Sequence, residues 1–316
     1  MNWIRVESPG LLTTVQDLGR PGFGPLGVSA SGAADPISLR LGNRLVANDE
    51  DAAGLEMTLV GGAFSFSHEA LFALTGADFG ATLDGVPLAM WASVQAVPGQ
   101  TLRLGATRDG ARCYLCVAGG INLEQFLGSA STHVLSGLGG LQGRPLRKGD
   151  DLQISPESAP RRKRIIPQNM LVRLRQSKVL RVTPGPQSDW FDKTAQETFY
   201  SSTYQVTEDA NRMGLRLQGP PICLPASRHM ITEGVALAAI QVPASGQPVI
   251  LFVEQQTTGG YPKIANVIAA DIYRVGQLRP RDEIRFELVS FDTARELLIE
   301  QERLLASSDL IDNCDE

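Results

Sequence analysis

The chain has 316 residues and a formal net charge of −5. That length is enough for two domains that each bury a core, and the mildly acidic balance offers no electrostatic footprint for nucleic acid. No window approaches the roughly 20 apolar residues of a membrane span, and the opening MNWIRVESPG lacks the apolar block of a secretory signal, so a cytoplasmic location is expected.

In chain order, the first strong element is a helix over ADPISLRLGNRLVAN. Asp35 is its N-cap, Pro36 its first helical residue, and Ile37, Leu41 and Leu45 share one face. Short apolar runs then alternate with turn signals: AFSFS, ALFALTG, TLRLG and CYLCVAGG, later DLQIS, PVILFVE and EIRFELVS. Such runs are too short for a doubly wound sheet and predict a mainly β protein with few helices. Cys113 and Cys116 form a C-x-x-C inside one of these strands. No second pair answers it, so both are expected as buried apolar residues. The glycine-rich GLGGLQGRPL has neither the ending of a P-loop nor the spacing G-x-G-x-x-G, and reads as a turn. Three segments, VPGQTLRL, LRKGDDLQI and LRPRDEIRF, each set a tight turn before an alternating strand. Their recurrence suggests two related β domains.

A polar stretch, SPESAPRRKRIIPQ, marks the expected boundary, with its RRKR run read as solvated linker. The expected division is an N-terminal β domain over 1–155 and a C-terminal one over 165–306. A tail at 307–316, short of apolar groups, is expected to be disordered. Helices are expected after Ser188, in SDWFDKTAQETFYSS, and over DTARELLIEQERLLAS.

Several segments together carry a resemblance: PGLLTTVQDLGRPG, GVSASGAADP, LTGADFGATLDG, VAGGI, GPQSDWF, NRMGLRLQGP, EGVALAAIQVPASGQPVILF and QTTGGYPKIA. They resemble the biotin-dependent carboxyltransferase family, also called the allophanate hydrolase subunit 2 family. The likeness runs from near residue 5 to near residue 300. It implies a fold of two cyclophilin-like β-barrel domains and an obligatory partner, a B-type 5-oxoprolinase subunit (KipI-like), with an A-type one acting alongside. It implies an ATP-dependent hydrolase component in a hetero-oligomer that opens the lactam of 5-oxoproline to glutamate, with ATP and Mg²⁺ as the cofactors. The alternatives within the resemblance are a KipA-like regulator that antagonises a KipI-type kinase inhibitor, and a carboxyltransferase acting on urea or a similar amide. No Met-Lys-Met site is present, so covalent biotin is not expected on this chain. The sequence departs from the family pattern at Glu254, where Asp is usual, and at Ala238 or Ala239, where Gly is frequent.

The candidate site residues follow from side-chain chemistry. In QQTTGGYPKIA, Gly259 and Gly260 can take φ > 0 and expose consecutive amides as an anion nest. Thr257 and Thr258 add hydroxyl donors, and Tyr261 can stack or donate. The competing reading is a structural turn, and the resemblance favours the site. Arg212 offers a bidentate carboxylate contact beside Asn211, with an ion pair as the alternative. Gln187 and Gln241 match the N–H and C=O of an amide, and either could equally satisfy a buried strand edge. Asp17 or Asp78 would handle a proton or Mg²⁺. In the N-terminal half, Gln16, Asp17, Arg20 and Ser31 lie in two polar loops, TTVQDLGRPG and SGAADP, and could face the same cleft or the partner.

Overall fold

The computed structural model describes residues 2–157, 162–174, 177–224 and 230–313. Part of the expected RRKR linker, Arg161, lies outside them. The chain divides into two compact units. The first takes Met1–Arg20, Ser31–Arg175 and Leu305–Glu316; the second takes Pro21–Ala30 and Gln176–Leu304.

The first unit holds two antiparallel sheets. One has six strands in the order Asp151–Gln153, Trp3–Ser8, Ala63–Phe66, Thr101–Arg103, Thr82–Leu83 and Val86–Pro87. The other has five, in the order Leu12–Gln16, Gly54–Thr58, Arg112–Val117, Ala70–Gly76 and Ser93–Ala96. Ile4, Phe64 and Leu102 from the first sheet share one apolar core with Leu55, Phe72 and Leu115 from the second. Strand Arg112–Val117 is central and buried on both faces. Both cysteines of the C-x-x-C are therefore fully buried, and burial pushes their thiols far up, which leaves them inert. Helix Pro36–Leu45 packs on this sheet, with Asp35 accepting from the Ser38 amide at 3.0 Å as expected of its N-cap.

The second unit is a closed barrel of seven short strands. Around it run Val179–Pro184, Lys263–Val267, Ala239–Gln241, Val249–Leu251, Gly214–Gln218, Tyr204–Val206 and Glu283–Leu288, and a parallel pairing between the first and last closes it. Closure leaves no strand edge unpaired. Helix Lys193–Ser201 begins at Asp192, whose carboxylate accepts from the Ala195 amide. Phe199 from this helix stacks on Phe286.

The three recurring turns share one construction. Gln100, Asp150 and Asp282 each accept a side-chain hydrogen bond from the amide three residues earlier, at Val97, Arg147 and Arg279. The third residue of each turn is left-handed: Gly99, Gly149 and Arg281. That geometry suits a glycine, and the third turn places an arginine there at φ 71.

Structure continues past residue 306, where a disordered tail was expected. Leu310, fully buried, closes a short 3-10 turn over Ser308–Leu310, and Asp312–Asn313 pairs with Arg164–Ile165. One buried leucine anchors a segment whose composition reads as polar. The last three residues lie outside the described ones.

Candidate ligand site at one end of the barrel

The strand register sorts the expected site residues between the two ends of the barrel. Gln241 stands opposite Val249 and Lys263, while Gly214 stands opposite Leu251. Gln241, Lys263 and the Gln187 turn that follows Val179–Pro184 therefore share one end. Arg212 and Glu254, which flank Gly214 and Leu251, lie at the other. Arg212 Nε donates to Glu254 Oε1 at 2.5 Å, and both side chains are buried. The arginine expected to hold a substrate carboxylate thus holds a carboxylate of its own chain, at the barrel end opposite Gln241 and Lys263. Asn211 accepts from the Met213 amide at 2.8 Å, which fixes the turn before that strand.

The threonine–glycine stretch is also built differently from a nest. Thr258–Gly259 pairs antiparallel with Glu233–Gly234, and the Val235 amide donates to the Thr257 carbonyl. Neither Gly259 nor Gly260 has positive φ. The ladder holds the backbone extended, so the amides do not converge as a nest requires. Gly259 has a different neighbourhood: a Cβ there would stand 2.6 Å from Gln241 Nε2 and 3.2 Å from Val235 Cγ1, so the Gln241 carboxamide would have to shift. The ladder lies directly against the buried Gln241 carboxamide. Thr258 is exposed and Thr257 half-buried. Gly260 and the exposed Tyr261 line a cavity of about 560 Å³ together with Ile222, Cys223, Val242 and Pro243.

At this end four polar side chains meet. Lys263, only 2% exposed, donates from Nζ to Glu233 Oε1. Gln187 Nε2 donates to the same oxygen at 3.0 Å, and Gln187 Oε1 accepts from the Lys263 amide. Gln241 is buried, and among the described residues its Nε2 has no hydrogen-bond partner. Glu233 itself is 46% exposed. The Lys263 ammonium and then the Gln187 amide hold its carboxyl below the usual carboxylate range. Lys263 and Glu233 are absent from the sequence-based set. The signal for Lys263 is one charge opening a largely buried strand, KIANV. Nothing local marks Glu233.

The two aspartates expected to handle a proton or Mg²⁺ are engaged elsewhere, in the first unit. Asp17 is buried and accepts from the Gly19 and Ala130 amides and the Ser129 and Ser131 hydroxyls. Three of these four bonds clasp the 129–131 loop, and together the four leave little acceptor capacity for a substrate proton. Gln16 and Ser31 both donate to the Thr132 carbonyl, and Arg20 donates to the Ser131 and Phe126 carbonyls. Asp78 pairs with Arg108 at the surface and accepts from the Gly80 amide. Among the described residues no three His, Cys, Asp or Glu side chains come together as a metal site.

A family model described as carboxyltransferase domain, subdomain A and B, matches residues 26–288. The C subunit of 5-oxoprolinase from Escherichia coli (strain K12) is 39% identical over 302 residues, covering 95% of this chain and 96% of that protein. Its counterpart in Haemophilus influenzae is 38% identical and covers 90% of each. The urea amidolyase of Saccharomyces cerevisiae is 34% identical over 97% of this chain, which spans 18% of that protein. The crystal structure of the K. lactis urea amidolyase superposes with a TM-score of 0.90 at 31% identity, over 98% of this chain and 20% of that one.

Proposed function

Because the chain belongs to the carboxyltransferase-domain family, subdomains A and B, we propose that it is the C-type component of an ATP-dependent 5-oxoprolinase. It would work with a B-type partner, and with an A-type one, to activate and open the lactam of 5-oxoproline. The similarity to two 5-oxoprolinase C subunits over nearly their whole length supports this reading.

The observation that carries it is the set of side chains at the barrel end. Two carboxamides, Gln187 and Gln241, match the N–H and C=O of a lactam. The Lys263 ammonium beside them opposes negative charge gathering on the lactam oxygen. When bound, ATP supplies the phosphoryl group that activates that oxygen. The contribution of this chain is positioning and charge. The described residues offer no Mg²⁺ centre of their own; Mg²⁺ commonly rides on nucleotide phosphates and water with one or two carboxylates.

A second reading is favoured by the urea amidolyase relatives, which match along the full chain. There the same donors would hold a urea-type amide during carboxyl transfer, and a separate carrier would bring the carboxyl group. Co-expression with B-type and A-type 5-oxoprolinase partners tests the choice. ATP hydrolysis that depends on 5-oxoproline and yields glutamate is expected from the assembly and not from the isolated chain. Turnover by the isolated chain, or none by the assembly, overturns the proposal.

A further inference from the structure

Lys263 and Gln187 both donate to one oxygen, Glu233 Oε1. The two are fixed differently from their acceptor. Lys263 opens a barrel strand and Gln187 is tied to it through two backbone contacts, the Lys263 amide to Gln187 Oε1 and the Gln187 amide to the Lys263 carbonyl. Glu233 instead sits on a ladder only two residues long, within a run where 231–234 are all exposed. Ile231 is left 88% in solvent. Elements with few buried contacts open at low cost.

The donor side is under-used. An ammonium has three donors, and among the described residues Glu233 is the acceptor found for Lys263 Nζ. Among the described residues Gln241 Nε2 has no acceptor, although the residue is 2% exposed. It lies under Gly259, the residue paired with Glu233 across the ladder. A buried donor without an acceptor is costly, and an anion arriving beneath the ladder would meet it.

We propose that Glu233 is an internal stand-in for an anionic ligand. The Glu233 ladder, Glu233–Gly234 with Thr258–Gly259, is then a strap that a carboxylate or phosphoryl oxygen displaces to reach Lys263, Gln187 and Gln241. This rests on the reading of this barrel end as the ligand site, and not on which reaction follows. The exchange is balanced in charge. One anion leaves the ammonium as another arrives, and the released Glu233 carboxylate passes to water, where nearly half of it already lies.

The test uses the isolated chain and binding alone, so an inactive assembly does not bear on it. Inorganic phosphate, acetate and 5-oxoproline are titrated separately by calorimetry, which tells a phosphoryl from a carboxylate preference. A strap closed more than about nine-tenths of the time lowers apparent affinity about tenfold. Glu233→Gln is therefore expected to bind at least one of these anions about tenfold more tightly than wild type, and Lys263→Met to lose that binding. Equal affinity in wild type and Glu233→Gln, or binding retained by Lys263→Met, overturns the proposal. Should Glu233→Gln fail to fold, hydrogen exchange in the wild-type chain decides. Excess anion is expected to speed exchange at the Val235 amide, which donates to the Thr257 carbonyl in the closed strap. Unchanged exchange rejects the strap.

Discussion

Two ion pairs of the barrel, one from each end, differ in how far their carboxylates reach water. At one end Arg212 and Glu254 are both sealed, at 6% and 4% side-chain exposure. At the other, Lys263 is as deeply buried as Arg212, but its partner Glu233 is half in water. A sealed pair cannot trade partners without leaving a bare charge in the interior. A half-open pair can, because the displaced carboxylate regains its hydration. The contrast assigns stability to one end and ligand exchange to the other, and substitutions can break or sharpen it.

The largest effect is expected at the sealed end. Glu254→Ala removes the carboxylate that accepts from Arg212 Nε, and breaking a buried pair this way costs about 3–5 kcal/mol. Chemical denaturation should show a loss of that size. Replacing both partners with apolar residues of similar volume should recover most of it. A loss under about 1 kcal/mol for Glu254→Ala would make the two ends alike. Next is Lys263→Met. Its partner can rehydrate, so the melting point should change little. Lactam-dependent turnover in the assembly should fall about 10²–10³-fold, the usual cost of removing one donor from a developing oxyanion. Unfolding of Lys263→Met with little change in Glu254→Ala would reverse the assignment of the two ends.

The adjacent glycines give a smaller and more local discrimination. Gly259→Ala drives a Cβ to 2.6 Å from Gln241 Nε2, under the strap. Overpacking of that kind costs up to about 1–3 kcal/mol, and because it strains the closed strap, anion binding should tighten with it. At Gly260 a Cβ meets nothing closer than Thr232 Oγ1 at 3.4 Å, and φ is not positive. Gly260→Ala should stay within about 0.5 kcal/mol of wild type. Thermal melts and anion titrations of the two variants check this order, and equal effects would mean that the strap does not press on Gln241.

Local chemistry was legible in the sequence wherever one residue determines its own neighbourhood. The Asp35–Pro36 helix start, the mainly β character and the recurring turns all follow from side chains within a few positions. Gln187 and Gln241 were found by what a carboxamide can do, and the fold brings both to the same end. Arg212 was read by the same logic and lies at the opposite end, because its neighbours are set by a register that pairs residue 214 with 251 and 241 with 249. Glu233 has no local signature; it matters through Lys263, thirty residues away. The double glycine was read as an anion nest with φ > 0, but the backbone is extended there and the group lying against Gly259 is Gln241. Chemistry was readable residue by residue, whereas convergence depended on long-range pairing.

The smallest expected effect is a pH dependence. Lys263, followed by Gln187, depresses the folded-state pKa of Glu233 below its usual value of 4.5. A carboxylate with a lowered folded pKa contributes stability that is fully present above its unfolded value and is lost as pH falls through the folded one. Comparing wild type with Glu233→Gln isolates that contribution, because glutamine keeps an acceptor for both donors but does not titrate. The difference in melting point should be constant above about pH 5 and shrink steadily below it, vanishing once Glu233 is protonated in both states. Its size should be modest, since Glu233 is half-exposed and solvent screens the pair. A difference that stays constant through the acid range would mean that Glu233 and Lys263 are not coupled in solution, and the half-open pair would lose its claim to be the exchangeable one.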